Sequence, residues 1–163
     1  MAEAARKKFK LDIVYFIPNG NPPHRKKDLL PAKKRYDLVK KAIKGKKHFE
    51  VLDIEIKKKT PSYTIDTVKF LLLTINHKPI TYFLIGQDAF EKLGAWKKID
   101  ELVELVEFIV FPRNRGQRVE DRGQKRKKIK LEVPKIKKLK YHLLKTKPIN
   151  ISGSEVRKKM KKS

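Results

Sequence analysis

The feature that most limits how this chain can fold is an alternation of short apolar runs with longer stretches of helical spacing. Residues 11–17 form a β-branched and aromatic run, and Pro18-Asn19-Gly20-Asn21-Pro22-Pro23 stops it with turn chemistry. Ala32, Tyr36, Val39, Ala42 and Ile43 then recur at helical spacing, with Pro31 suited to a first turn. Val51, Leu52, Ile54 and Ile56 predict a strand over 49–56, with Asp53 and Glu55 on one face. Ile65, Val68, Leu71, Leu72 and Ile75 make a second helical stripe, with Thr64 as its candidate N-cap. An apolar run at 80–85, a helix through Ile99, Leu102, Val103 and Val106, and a strand at 108–111 follow. Residues 141–144 predict a last strand extended through Pro148, and Ile151 opens a final helix. Residues 1–10 read as the end of a helix with no start signal before Met1. Strands separated by helices cannot pair as hairpins. The pattern therefore predicts one α/β domain over residues 1–163, with a mostly parallel sheet flanked by helices.

Chemistry in such a fold gathers beyond the carboxyl ends of the strands. Residues 80–96 offer the clearest candidate, because their apolar run breaks at Gly86 and presents Asp88 two residues later, with Trp96 beyond. A glycine lets ligand approach backbone there, and the Asp can hold sugar hydroxyls. A strand, a turn glycine and a cap-forming Asp explain the same residues equally well. Ser152 and Glu155 have capping-box spacing. The same helix start can bind phosphate through its free N–H groups, the hydroxyls of Ser152 and Ser154, and the fork of Arg157.

Composition closes several other routes. The chain has no cysteine, so a disulfide framework and a Cys-based metal site are excluded. His24, His48, His77 and His142 are scattered without metal-ligand spacing, so no metal site built from protein ligands is expected. No apolar run approaches a membrane span, and no signal-peptide layout opens the chain. A soluble, cytoplasmic protein with no membrane partner is the expectation. The net charge of +25 attracts polyanions. Its densest stretch, at 122–130, lacks aromatic stacking residues, and residues 117–140 read as a basic, poorly ordered or family-variable insert. Nucleic acid on the basic surface is the less favoured partner class, and self-association is left open.

Five segments in order resemble one family. They are Ile17-Pro18-Asn19-Gly20-Asn21-Pro22-Pro23-His24-Arg25, Pro61-Ser62-Tyr63-Thr64-Ile65-Asp66-Thr67, Ile85-Gly86-Gln87-Asp88 with Trp96, Phe111-Pro112-Arg113, and Asn150-Ile151-Ser152-Gly153-Ser154-Glu155-Val156-Arg157. The set resembles bacterial nicotinate-nucleotide adenylyltransferases, with a Rossmann-like nucleotidyltransferase fold. The resemblance implies adenylyl transfer from ATP to nicotinate mononucleotide, with Mg²⁺ on the ATP polyphosphate, giving deamido-NAD and pyrophosphate. It implies that Gly86 and Asp88 hold the adenylate ribose and that Ser152, Ser154 and Arg157 meet the ATP phosphates. His24 and Arg25 would lie over the nucleotides, Tyr63 and Thr64 would recognise the nicotinate end, Trp96 would stack on the pyridine ring, and Arg113 would lie by the mononucleotide.

The family's first strand and its Gly-x-Phe-x-Pro-x-His-x-Gly-His motif find no match in this sequence, nor does the family's C-terminal tail past Ser163. The expectation is therefore a sheet without its first strand, catalytic histidines encoded upstream of Met1, and little activity in the 163-residue chain. The alternatives are a basic nucleic-acid-binding protein without catalysis, or an adenylyltransferase for nicotinamide mononucleotide or phosphopantetheine.

Overall fold

The computed structural model describes residues 1–22, 29–74, 80–112 and 131–144. In chain order they form α1 (Ala2–Phe9), β1 (Val14–Phe16), α2 (Ala32–Ile43), β2 (Phe49–Val51), α3 (Thr64–Thr74), β3 (Tyr82–Gly86) and α4 (Gln87–Phe90). A 3-10 turn (Leu93–Ala95), α5 (Ile99–Leu105), β4 (Glu107–Phe111) and β5 (Tyr141–Leu143) follow. Every strand pair is parallel: β1 with β2, and β3 and β5 on either side of β4. The parallel α/β architecture expected from the alternation is present. Among the described residues the strands fall into two groups, β1-β2 and β3-β4-β5.

The strand β4 shows why these residues build a layered structure. Successive side chains of a strand point to opposite faces. Phe108 and Val110 enter a core with Ile65 and Val68 of α3, Ile85, Phe90, Leu93, and Leu102 and Val103 of α5. Ile109 and Phe111 enter a second core with Ala5 and Leu144, against which Phe9, Leu11, Tyr82 and Leu84 pack. Both faces of β4 are thus covered, which is why its sequence is continuously apolar rather than alternating. Each such side chain removed from water contributes roughly 1.5–3 kcal/mol.

Several boundaries differ from the sequence expectation. The strand at 11–17 contracts to Val14–Phe16, and that at 49–56 contracts to Phe49–Val51. After Val51 the backbone turns, because the Asp53 carbonyl accepts from the Ile56 and Lys57 amides at 2.9 and 3.2 Å. Asp53 pairs with Lys57 at 2.9 Å, whereas Glu55 is buried, so the two carboxylates do not share a strand face. Thr64 is the first residue of α3 rather than its cap. The Tyr63 carbonyl accepts from the Asp66 and Thr67 amides, which makes Tyr63 the capping position. Within 117–140, residues 117–130 lie outside the described residues. Leu131, Ile136 and Leu139 pack on the larger core, and Lys138 reaches Glu104 at 2.7 Å. No helix among the described residues is long and apolar enough to cross a membrane.

At the amino end of β4, Glu107 accepts from His142 Nε2 at 2.8 Å and faces Lys140 at 3.6 Å. The His142 hydrogen bond, foremost, and the Lys140 charge hold the Glu107 carboxyl below its ordinary 4.5. A depressed carboxyl contributes stability that is full above the unfolded value and is lost as pH falls through the folded one. Glu107→Gln should therefore flatten the loss of stability below pH 4.5, measured by urea unfolding across an acid series.

Candidate functional site

Parallel pairing puts the carboxyl ends of β3, β4 and β5 on one edge of their sheet. There Gly86 pairs with Phe111. Gly86 is exposed, with extended backbone at φ −77° and ψ 151°, and a Cβ added to it would meet nothing within 4 Å. Internal packing therefore does not demand a glycine at this position; an open surface over the backbone is what it provides. Gln87 anchors the turn that follows: its buried side chain donates to Glu91 Oε1 at 2.8 Å. Asp88 sits half-buried in the first turn of α4. Gly86 and Asp88 thus lie together at this edge of the sheet, where Gly86 pairs with Phe111.

A second group forms at the entry of α3. Lys97 Nζ lies 3.9 Å from the centroid of the Tyr63 ring, close enough for a cation–π attraction. Trp96, half-buried, stands edge-on against Phe83 with centroids 5.7 Å apart and planes at 85°. Lys98 adopts the left-handed conformation at φ 53°, which turns the chain into α5. Glu101 of α5 pairs with Lys98 at 2.9 Å and with Lys69 of α3, tying the two helices together. The fold therefore brings Tyr63, at the entry of α3, up to Lys97, and packs Tyr63 and Trp96 on the same core. It does not set Trp96 at the Gly86 edge: its ring meets Phe83, three residues and roughly 10 Å earlier on the strand. Lys97 carries no signal in a sequence with 43 Lys and Arg residues.

The third group joins the loop after β1 to the same helix entry. The Ser62 amide donates to the Asn21 carbonyl at 3.0 Å. The backbone of Gly20 lies against that of Glu55 so closely that a Cβ on Gly20 would fall 1.8 Å from the Glu55 carbonyl oxygen. Arg35 of α2 donates to the carbonyls of Leu30 at 3.0 Å and Gly20 at 3.3 Å. Glu55 Oε1 accepts from Thr67 Oγ1 at 2.7 Å. Burial holds the Arg35 guanidinium below its ordinary value, with the Glu55 charge acting the other way. Sequence reasoning missed Arg35, Glu55 and Thr67. A carboxylate in what reads as a strand gives no hint that it folds inward.

His24, Arg25, Arg113, Ser152, Ser154 and Arg157 lie outside the described residues. His48 Nδ1 donates to the Asp12 carbonyl at 2.9 Å and His142 pairs with Glu107, so both serve the scaffold. Among the described residues no three His, Asp or Glu side chains gather as metal ligands.

Known proteins share this pattern. A family-wide pattern described as cytidylyltransferase-like matches residues 1–159. A probable nicotinate-nucleotide adenylyltransferase of Clostridium acetobutylicum is 35% identical over 168 residues, covering 100% of this chain and 79% of its own length. That of Clostridium novyi is 38% identical, over 99% and 78%. That of Dehalococcoides mccartyi is 41% identical over 114 residues, where the match spans 69% of this chain and only 56% of the relative. The solved Plasmodium falciparum nicotinic acid mononucleotide adenylyltransferase, complexed with NaAD, superposes with a TM-score of 0.62 at 20% identity. That match covers 93% of this chain and 75% of that one, and establishes likeness of fold.

The Gly20–Glu55 approach yields a direct expectation. Gly20→Ala must push the two backbones apart, because the obstructing atoms are main-chain and cannot rotate away. It should cost about 1–3 kcal/mol in urea unfolding, whereas Gly86→Ala, with open space around its Cβ, should change stability by less than about 0.5 kcal/mol.

Proposed function

This chain belongs to the nicotinate-nucleotide adenylyltransferases of the cytidylyltransferase-like family, and we propose on that basis that it binds ATP and nicotinate mononucleotide for adenylyl transfer. The observation that carries the acid-form pyridine nucleotide is the meeting of the α3 entry with Trp96 and Lys97. A helix start offers N–H groups and partial positive charge to a carboxylate. An aromatic ring and an ammonium beside it suit an anionic aromatic ring. On this reading Tyr63 and Thr64 recognise the nicotinate carboxylate, Trp96 takes the pyridine face, and Gly86 and Asp88 hold the adenylate ribose. The separation of Trp96 from the Gly86 edge suits two nucleotides meeting end to end. His24, Arg25 and Arg113 would complete the mononucleotide side, and Ser152, Ser154 and Arg157 the ATP phosphates.

The reaction requires no covalent enzyme intermediate. An oxygen of the mononucleotide phosphate attacks the α-phosphorus of ATP in line, the α–β phosphoanhydride bond breaks, and pyrophosphate leaves. The residues act by positioning and by placing charge. Mg²⁺ belongs to the ATP polyphosphate on this reading, neutralising its charge. That suits an ion that keeps several waters and binds mainly through phosphate oxygens. On this reading the protein would act in the cytoplasm, where both nucleotides would reach it in solution.

Calorimetric titration with each nucleotide separately tests the reading. Nicotinate mononucleotide should bind, and nicotinamide mononucleotide should bind more weakly. Trp96→Ala should weaken nicotinate mononucleotide about tenfold, as loss of one stacked ring does, with ATP affinity held. A chain that binds neither mononucleotide, but binds RNA with a steep salt dependence, would instead be a basic nucleic-acid-binding protein.

A further inference from the structure

Three buried side-chain oxygens lack a hydrogen-bond partner among the described residues: Asn19 Oδ1, Glu55 Oε2 and Ser62 Oγ. All three belong to the junction between the loop after β1, the turn after β2 and the entry of α3. Glu55 is 6% exposed and Ser62 3%. A carboxylate is seldom buried to this degree unless something is built around it. Here the surroundings reach it from several sides. Thr67 of α3 donates to Oε1 at 2.7 Å. Its own main chain carries the backbone of Gly20. Arg35, on which the Glu55 charge acts, holds the Gly20 carbonyl at 3.3 Å. The loop closes the circuit, because the Asn21 carbonyl accepts from the Ser62 amide at 3.0 Å.

We propose that Glu55 is a positioning residue that couples two substrate-facing segments, fixing the Ser62–Thr64 entry of α3 through Thr67 and the Asn19–Asn21 loop through Gly20. This rests on the reading of Tyr63 and Thr64 as the nicotinate end. The logic is one of leverage. The Thr67 hydroxyl lies one helical turn below Tyr63, and Thr67 also bonds the Tyr63 carbonyl through its amide at 3.3 Å. Holding Thr67 sets the direction in which the first turn of α3 presents its N–H groups. The same carboxylate-bearing turn sets the height of the loop that leads to His24 and Arg25. The polar atoms left over are two acceptors and a hydroxyl, so the junction also has unused capacity for a donor such as an ordered water. Glu55 touches no reacting atom on this account; it acts through the segments it joins.

The test uses Thr67→Val, which keeps shape and removes the hydroxyl, and Thr67→Ser, which restores it, in the full 163-residue chain. Nicotinate mononucleotide affinity should fall about tenfold in Thr67→Val, the scale of one misplaced hydrogen bond to a charged group. ATP affinity should hold, and Thr67→Ser should return the mononucleotide affinity to near the parent value. Amide hydrogen exchange without ligand should quicken in Thr67→Val at both residues 62–66 and residues 19–21. Equal weakening of both nucleotides would mark general loosening and overturn the proposal. So would unchanged mononucleotide affinity, or faster exchange at only one of the two segments. If the parent chain binds no nicotinate mononucleotide, the functional reading fails on its own, and the exchange pattern alone decides whether Glu55 couples the segments.

Discussion

Pairing Tyr82–Gly86 with Glu107–Phe111 in parallel register obliges both strands to find cover on two faces at once. Parallel neighbours need a crossover between them, and the crossover here is α4, the 3-10 turn and α5. Those elements bring Phe90, Leu93, Leu102 and Val103 down onto Phe108 and Val110. The opposite face is closed by α1, through Ala5 and Phe9. The candidate residues at 86–96 hang from this pairing. Gly86 and Asp88 stand at its carboxyl end, and Trp96 is held by an edge contact to Phe83 within it.

Polar and apolar packing share the work unevenly across the molecule. Around β4 the cohesion is hydrophobic. At the loop after β1 it is polar: an Arg, a buried Glu, a Thr and several carbonyls interlock over the short β1-β2 pair. A polar junction is directional and tolerates little displacement, because an unpaired buried group costs about 1–3 kcal/mol. That is a poor way to add stability and a good way to hold loops in one arrangement. Among the described residues, pairs such as Lys138–Glu104 and Lys57–Asp53 use up part of the chain's large positive charge. Such exposed pairs contribute little to stability. The excess remains as a field that favours phosphate-rich ligands.

Much of the fold was legible because its signals are periodic. The helices at 32–43, 64–74 and 99–105 and the strands at 82–86 and 107–111 coincide with apolar spacing that a covered face requires. The extent of β2 was not legible. Val51, Leu52, Ile54 and Ile56 alternate as a strand would, yet the chain turns at Asp53 because Glu55 is drawn inward to Thr67 and Gly20. Thr64 as a cap was misread for a related reason. The capping role depends on where the helix starts, and that start is set by the Tyr63 carbonyl and by the contacts of Ser62. Gly86, Asp88 and Trp96 were visible as unusual residues, but not their separation along β3. Lys97 was invisible among many lysines until the Tyr63 ring was found beneath it.

The sequence by itself determined the alternation of strands and helices, the parallel character of the sheet and the family, because apolar period and ordered motifs are properties of the chain alone. It also singled out Gly86, Asp88, Tyr63, Thr64 and Trp96 as residues to watch. Only the tertiary structure decided which of them stand together: Tyr63 with the Trp96–Lys97 segment, and Gly86 with Asp88 at the strand end. It alone revealed Glu55 as the buried carboxylate behind the α3 entry. The reason is physical. Periodicity reports which face of an element is buried, but not which distant backbone will come to lie against it, and Gly20 meets Glu55 across thirty-five positions of sequence.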